Sequence, residues 1–128
     1  MRLWHQTLIP YLDRQRLLGQ HRECAALRGA GWGRKHSIVD YVFKHDPALL
    51  VTYHWLVLEE MLKRGYNPDV AWDNPDYRGK TLGIQPGWVN VDLLVNDKEK
   101  TIIYPEHNDA YLKECIDILH NKGVDIQL

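Results

Sequence analysis

The chain has 128 residues, of which 45% are hydrophobic and 26% charged; this is the size and make-up of one globular domain and excludes a disordered, collagen-like or coiled-coil protein. The formal net charge of −1 hides an asymmetry, because residues 1 to 46 hold eight Arg or Lys against four Asp or Glu and are net +4, leaving the remainder net −5. No run reaches 18 apolar residues and the opening MRLWHQTLIPYLDR is interrupted by charge and proline, which excludes a membrane helix and a signal-peptide core. The reading that follows is a cytoplasmic monomer with no membrane or protein partner, and with Cys24 and Cys115 as reduced, buried thiols.

Pro10 breaks the opening segment, and Asp13 offers an N-cap to a first helix that runs to about Arg28 and stops at the glycines 29, 31 and 33. On a helical wheel, Leu17, Leu18, His21, Cys24, Ala25 and Arg28 share one side, and Gln15, Arg16, Gly19, Gln20, Arg22, Glu23 and Ala26 the other. A basic loop with Trp32 follows, then a short apolar element over Ser37–Phe43. Asp46-Pro47 starts a second helix and Gly65 stops it. The apolar spacing of Leu50, Val51, His54, Trp55, Val57, Leu58, Met61 and Leu62 covers more than half the wheel, which makes this helix the central packing element. Residues 66 to 107 read as a long, proline-bearing connection with short strand-like pieces at Trp88–Val95 and Thr101–Tyr104. A third helix spans about Asn108 to Asn121, with Leu112, Cys115, Ile116 and Leu119 at helical spacing and Gly123 at its end. The expected fold is all-α: a compact three-helix single domain over residues 1–128, with a long irregular connection between the second and third helices.

Three features converge on the basic pole. Arg22-Glu23 lies on the polar face of the first helix, with Arg16 about 20° from Glu23 on the wheel. Gly19 precedes Glu23 by one turn; glycine inside a helix costs about 1 kcal/mol against alanine, so its presence implies a close approach, by a ligand or by another segment of the chain. The bland alternative for Glu23 is a surface salt bridge to Arg16 or Arg22. The second feature is the terminus, Met1-Arg2-Leu3-Trp4-His5; an α-amine with a pKa of about 7.7–8.0 is partly unprotonated at neutral pH and able to attack an electrophilic carbon. The third is Gly33-Arg34-Lys35-His36 after Trp32, residue types that suit phosphate contacts and base stacking.

Several of these pieces stand in register: Thr7-Leu8, Leu12, Gln15, Leu17 and Arg22-Glu23, then Gly29-Ala30, Arg34-Lys35-His36, the run Leu62 to Asn67, and Tyr77-Arg78-Gly79. Over roughly its first 80 residues the chain thereby resembles the pyrimidine-dimer DNA glycosylase family of endonuclease V type. The resemblance implies a compact all-α fold and a DNA-repair N-glycosylase with AP-lyase activity on damaged DNA, without a cofactor or metal. It implies catalysis by the N-terminal α-amine, here that of Met1, and by Glu23. It further implies that Arg2, Arg16, Arg22, Arg34, Lys35 and His36 hold the DNA and that Gln15 hydrogen-bonds near the lesion. The chain departs from the family pattern at Ala26, where the family has an arginine, and in the aromatic C-terminal segment, which it lacks.

Two other readings compete. A binding module of the same fold would keep the basic pole without the lyase chemistry, and Trp32, Trp72 and Trp88 would then be stacking platforms. A metal-dependent phosphohydrolase of the HD class would use His21, His45-Asp46 and His54, although Asp46 also suits helix capping and the histidines on apolar faces suit the core.

Overall fold

The computed structural model describes residues 2–34, 38–95 and 101–128. It is mainly helical: α1 (Arg14–Arg28), α2 (Pro47–Lys63), the single-turn α3 (Gly79–Leu82) and α4 (Asp109–Asn121), with short 3-10 turns between them. The local chemistry explains the ends. Asp46 accepts from the Ala48 N–H at 2.9 Å with Pro47 in the first turn of α2. At the other end Gly65 takes φ +84°, so that the Tyr66 N–H reaches the Met61 carbonyl at 2.9 Å and closes a Schellman motif. Gly123 (φ +85°) closes α4 in the same way, and Asn108 caps its start through the Tyr111 N–H at 2.9 Å.

As its sequence suggests, α2 is central, and Leu50, Val51, Tyr53, His54, Val57 and Leu58 are all buried. Leu62, expected in the core, is 58% exposed while Met61 beside it is buried, because the apolar arc of α2 is wider than the face the core covers at its last turn. α1 packs along α2, and Leu17, Cys24 and Leu27 from α1 join Leu119 and Cys115 from α4 in the main core. Both cysteines are free and buried.

Four local expectations are corrected. Pro10 does not break the opening segment but lies inside a 3-10 helix, Gln6–Tyr11, whose geometry tolerates its missing N–H. Asp13 occupies the N-cap position of α1 without a side-chain cap; its carboxylate pairs with Arg16 at 3.0 Å instead. The apolar element expected over Ser37–Phe43 is a 3-10 turn, Asp40–Lys44, with Ser37 outside the described residues. No strand forms among the described residues: Val91–Leu93 is a 3-10 turn, and the stretch at 101–103 finds no partner strand. The Gln6 side-chain amide satisfies its backbone, donating to the Thr101 carbonyl at 2.8 Å and accepting from the Ile103 N–H at 2.7 Å.

The long connection is tied to the C-terminus of α1 by two reciprocal arginines. Arg28, fully buried, donates to the carbonyls of Trp72, Asn74 and Tyr77 at 3.1, 2.7 and 2.9 Å. Arg78 donates in return to the carbonyls of Arg28 and Gly29 at 2.7 and 3.1 Å, the latter shared with the Trp32 N–H, at the helix end where carbonyls lack intrahelical donors. The Tyr77-Arg78-Gly79 motif therefore serves as a helix stop built from a distant segment.

Candidate active site

Residues 2–4 form a strap over the three long helices, and each of its carbonyls is held by a side chain from a different one. Gln20 of α1 donates to the Arg2 carbonyl at 2.8 Å, Tyr111 of α4 to that of Leu3 at 2.6 Å, and Tyr53 of α2 to that of Trp4 at 2.5 Å. The Gln20 oxygen also accepts from the Trp4 N–H at 2.9 Å and lies 2.6 Å from the Tyr53 hydroxyl. Gln20 is thus buried, not solvated as the wheel predicts, because the strap's main-chain groups need partners once water is excluded.

Beside the strap opens a cleft of about 480 Å³. Its polar side consists of Arg2, Gln15, Arg16, Gly19, Gln20 and Arg22; Trp4, Ile38, Ile118 and Lys122 line the rest. Four cations face it, and no carboxylate lines it among the described residues. Among the described residues a Cβ built on Gly19 meets only Arg22 Nη2, at 3.7 Å, so no other described segment packs on this glycine, which lines the cleft. Among the described residues nothing supports the alternative in which Gly19 makes room for the chain itself.

Four of the nine sequence-predicted site residues that are described or named, Arg2, Gln15, Arg16 and Arg22, meet in this cleft. Glu23 does not line it directly. It stands half-buried on α1, at a wheel angle about 40° past Gly19 and about 20° short of Arg16, hence on the same stripe one turn further along. The surface salt bridge weighed for it does not form: Arg16 pairs with Asp13, and no ion pair engages Glu23 among the described residues. Arg2 makes an ion pair with the exposed Glu114 at 3.2 Å and lies over the Trp4 and Tyr111 rings. Arg34 is exposed on the loop after α1 and does not line the cleft. Met1, Lys35 and His36 lie outside the described residues.

Sequence reasoning missed Gln20, Tyr53, Tyr111, Ile38, Ile118 and Lys122. Gln20 carried a faint signal as the neighbour of Glu23 on the wheel, and Tyr53 as a polar tip in an apolar helix; Tyr111 meets Leu3 across 108 positions and carried none.

The rival readings lose their residues to other partners. Trp32 packs edge-on against Phe43 and Trp88 at 5.0 and 5.6 Å; Trp88 lies under the Arg78 guanidinium at 4.5 Å, and Trp72 under that of Arg28 at 4.9 Å. All three tryptophans are thus engaged within the fold. Asp46 caps α2, and His45 pairs with Glu106 at 2.9 Å. Arg28, which has only protons to offer, donates to His54 Nδ1 at 3.0 Å; the His54 proton therefore sits on Nε2 and points to His21 Nδ1 at 2.8 Å. Burial and the Arg28 charge push His54 well below the usual imidazole range, and burial together with Arg22 and Arg28 lowers His21. A guanidinium thus occupies the nitrogen that a metal would need.

The pyrimidine dimer DNA glycosylase model matches residues 1–74, more than half of the chain, from the strap through α1 and α2. The chain belongs to this family. It is thereby a DNA-repair glycosylase in general terms, with DNA as its substrate, and its all-α fold agrees with the family's. No curated protein and no solved structure matches the chain. The family segment ends before α3 and α4, so Tyr111, Glu114, Ile118 and Lys122 fall outside it. Among the described residues no helix is long and apolar enough to cross a membrane.

Proposed function

We propose that the chain, acting as one domain over residues 1–128, is a DNA N-glycosylase with AP-lyase activity whose reaction takes place at the cleft beside the strap. The Met1 α-amine attacks the sugar C1′ of a damaged nucleotide, the C1′–base bond breaks and the base leaves with its electron pair, to be protonated; the C1′–O4′ bond then opens, O4′ taking up a proton, to give a ring-opened iminium. Loss of a C2′ proton then expels the 3′ phosphate and cuts the strand. An α-amine, with an ordinary pKa of about 7.7–8.0, is partly unprotonated at neutral pH and so able to attack. Glu23 stabilises the positive charge that develops on the sugar and takes the sugar proton. Arg2, Arg16 and Arg22 bind phosphates, with Arg34, Lys35 and His36 continuing the basic track and Gln15 hydrogen-bonding near the lesion.

The observation that carries this reading is the anchored strap beside a cleft that four cations line, with Glu23 one turn along the same helical stripe of α1 and in no ion pair among the described residues. Cleavage of duplex DNA holding a single abasic site tests it. Glu23→Gln should lower the cleavage rate by about a hundredfold while leaving DNA affinity within about twofold. Wild-type protein that binds the DNA and never cuts it contradicts the lyase assignment and leaves a binding module.

A further inference from the structure

The strap is held from three sides, and one of the three belongs to a part of the molecule that the family match does not reach. Gln20 and Tyr53, from α1 and α2, lie inside residues 1–74; Tyr111 lies on α4. Its position is itself fixed. The Asn108 cap binds the Tyr111 N–H, the ring stacks on His107 with centroids 4.9 Å apart and planes 27° off parallel, and the buried His107 is held by Tyr41 at 2.6 Å. From this frame the phenol donates to the Leu3 carbonyl at 2.6 Å, while the ring lies beneath the Arg2 guanidinium at 5.9 Å. One helical turn on, Glu114 binds the same guanidinium at 3.2 Å. The first turns of α4 therefore grip the strap through the main chain of Leu3 and the side chain of Arg2, the two residues nearest to the proposed nucleophile.

We infer that Tyr111 is a positioning residue for the N-terminal amine, and that α4 is part of the catalytic apparatus and not only a cover for the core. The inference rests on the lyase reading given above. A nucleophile on a chain end is of use only where that end is immobilised, since a displacement of about 1 Å costs on the order of a hundredfold in rate. The Gln20 and Tyr53 bonds fix the strap along its length, and the Tyr111 bond fixes it from the opposite helix.

The test is borohydride trapping on abasic-site DNA with wild-type protein and Tyr111→Phe, which keeps the ring stack and removes only the hydroxyl. Trapping should slow by roughly tenfold or more in the variant while DNA affinity stays within about twofold. The slowing should persist at saturating DNA and per folded molecule, a change in maximal rate that loss of stability alone does not produce. Should Tyr111→Phe fold poorly by thermal melting, Glu114→Gln at its exposed position tests the same grip, with a severalfold slowing expected. A folded Tyr111→Phe, or in its place a folded Glu114→Gln, that traps at the wild-type rate overturns the inference and leaves the lyase reading intact. Wild-type protein that gives no adduct fails that reading, and the inference with it.

Discussion

α1 carries arginines at two sites that resemble each other in sequence and differ in what completes them. At its C-terminal end Arg28 is fully buried, and the chain itself supplies its acceptors: three main-chain carbonyls, His54 and the face of Trp72. Around the middle of the helix Arg16 and Arg22 face an open cleft, with Arg2 and Lys122 opposite and no carboxylate in its lining among the described residues. A cation whose two terminal nitrogens are taken up by its own fold is architecture. The cleft cations are held only at the surface, Arg16 by Asp13 and Arg2 by Glu114, and on the function proposed above their further partner is the phosphate backbone.

The sharpest way to break this contrast is Arg28→Met. It leaves three carbonyls and His54 Nδ1 without a donor, at about 1–3 kcal/mol each, and part of this is offset by no longer burying a charge. A net loss on the order of 3 kcal/mol in chemical denaturation is expected, with little change in DNA affinity per folded molecule. If Arg28→Met instead abolishes binding and spares stability, the two sites have been assigned the wrong way round.

Acidification weakens the closed side next. His54 lies well below the ordinary imidazole pKa, and burial, with a smaller contribution from the charge of His5, brings His107 down to about 3. Both are lowered, so between about pH 6.5 and the folded value the unfolded chain binds more protons than the native one. Stability is fully present above about 6.5 and falls as the pH drops, by up to about 1.4 kcal/mol per unit for each histidine. Equilibrium melts across pH 7 to 4 check this, and His107→Gln should flatten the slope; a curve indifferent to that substitution contradicts the burial argument.

On the open side the effects are smaller and fall on binding. Arg22→Ala should leave stability within about 0.5 kcal/mol and reduce the salt dependence of log K by about 0.9 for one lost phosphate contact. An unchanged salt slope removes Arg22 from the interface. Gly19→Ala is the most discriminating of the mild changes, since the new methyl group meets only Arg22 Nη2, at an ordinary 3.7 Å. It should stabilise the protein by up to about 1 kcal/mol and weaken DNA binding. Gain in both would show that nothing approaches the cleft at that point.

The sequence was most legible where local rules decide the structure. The boundaries of α2 follow from Asp46-Pro47 and Gly65, and those of α4 from Asn108 and Gly123, because each end is closed by groups a few residues apart. The face of α1 was read only in part: Leu17 and Cys24 lie inward as the wheel requires, whereas Gln20 is drawn inward by a strap that local periodicity does not see. The stretch at 101–103 misled for the same reason, since its extended look in sequence says nothing of the Gln6 amide that completes it. Of the site, α1 residues at fixed spacing were legible, and the long-range contributions of Tyr111, Ile118 and Lys122 were not.

The central claim concerns one nitrogen atom, and the most direct measurement is to locate the covalent bond. Wild-type protein reduced with borohydride in the presence of abasic-site DNA, digested and mapped by mass spectrometry, should carry the sugar on the α-amine of Met1. An adduct on a lysine side chain, or cleavage of the strand with no adduct at all, would contradict the account.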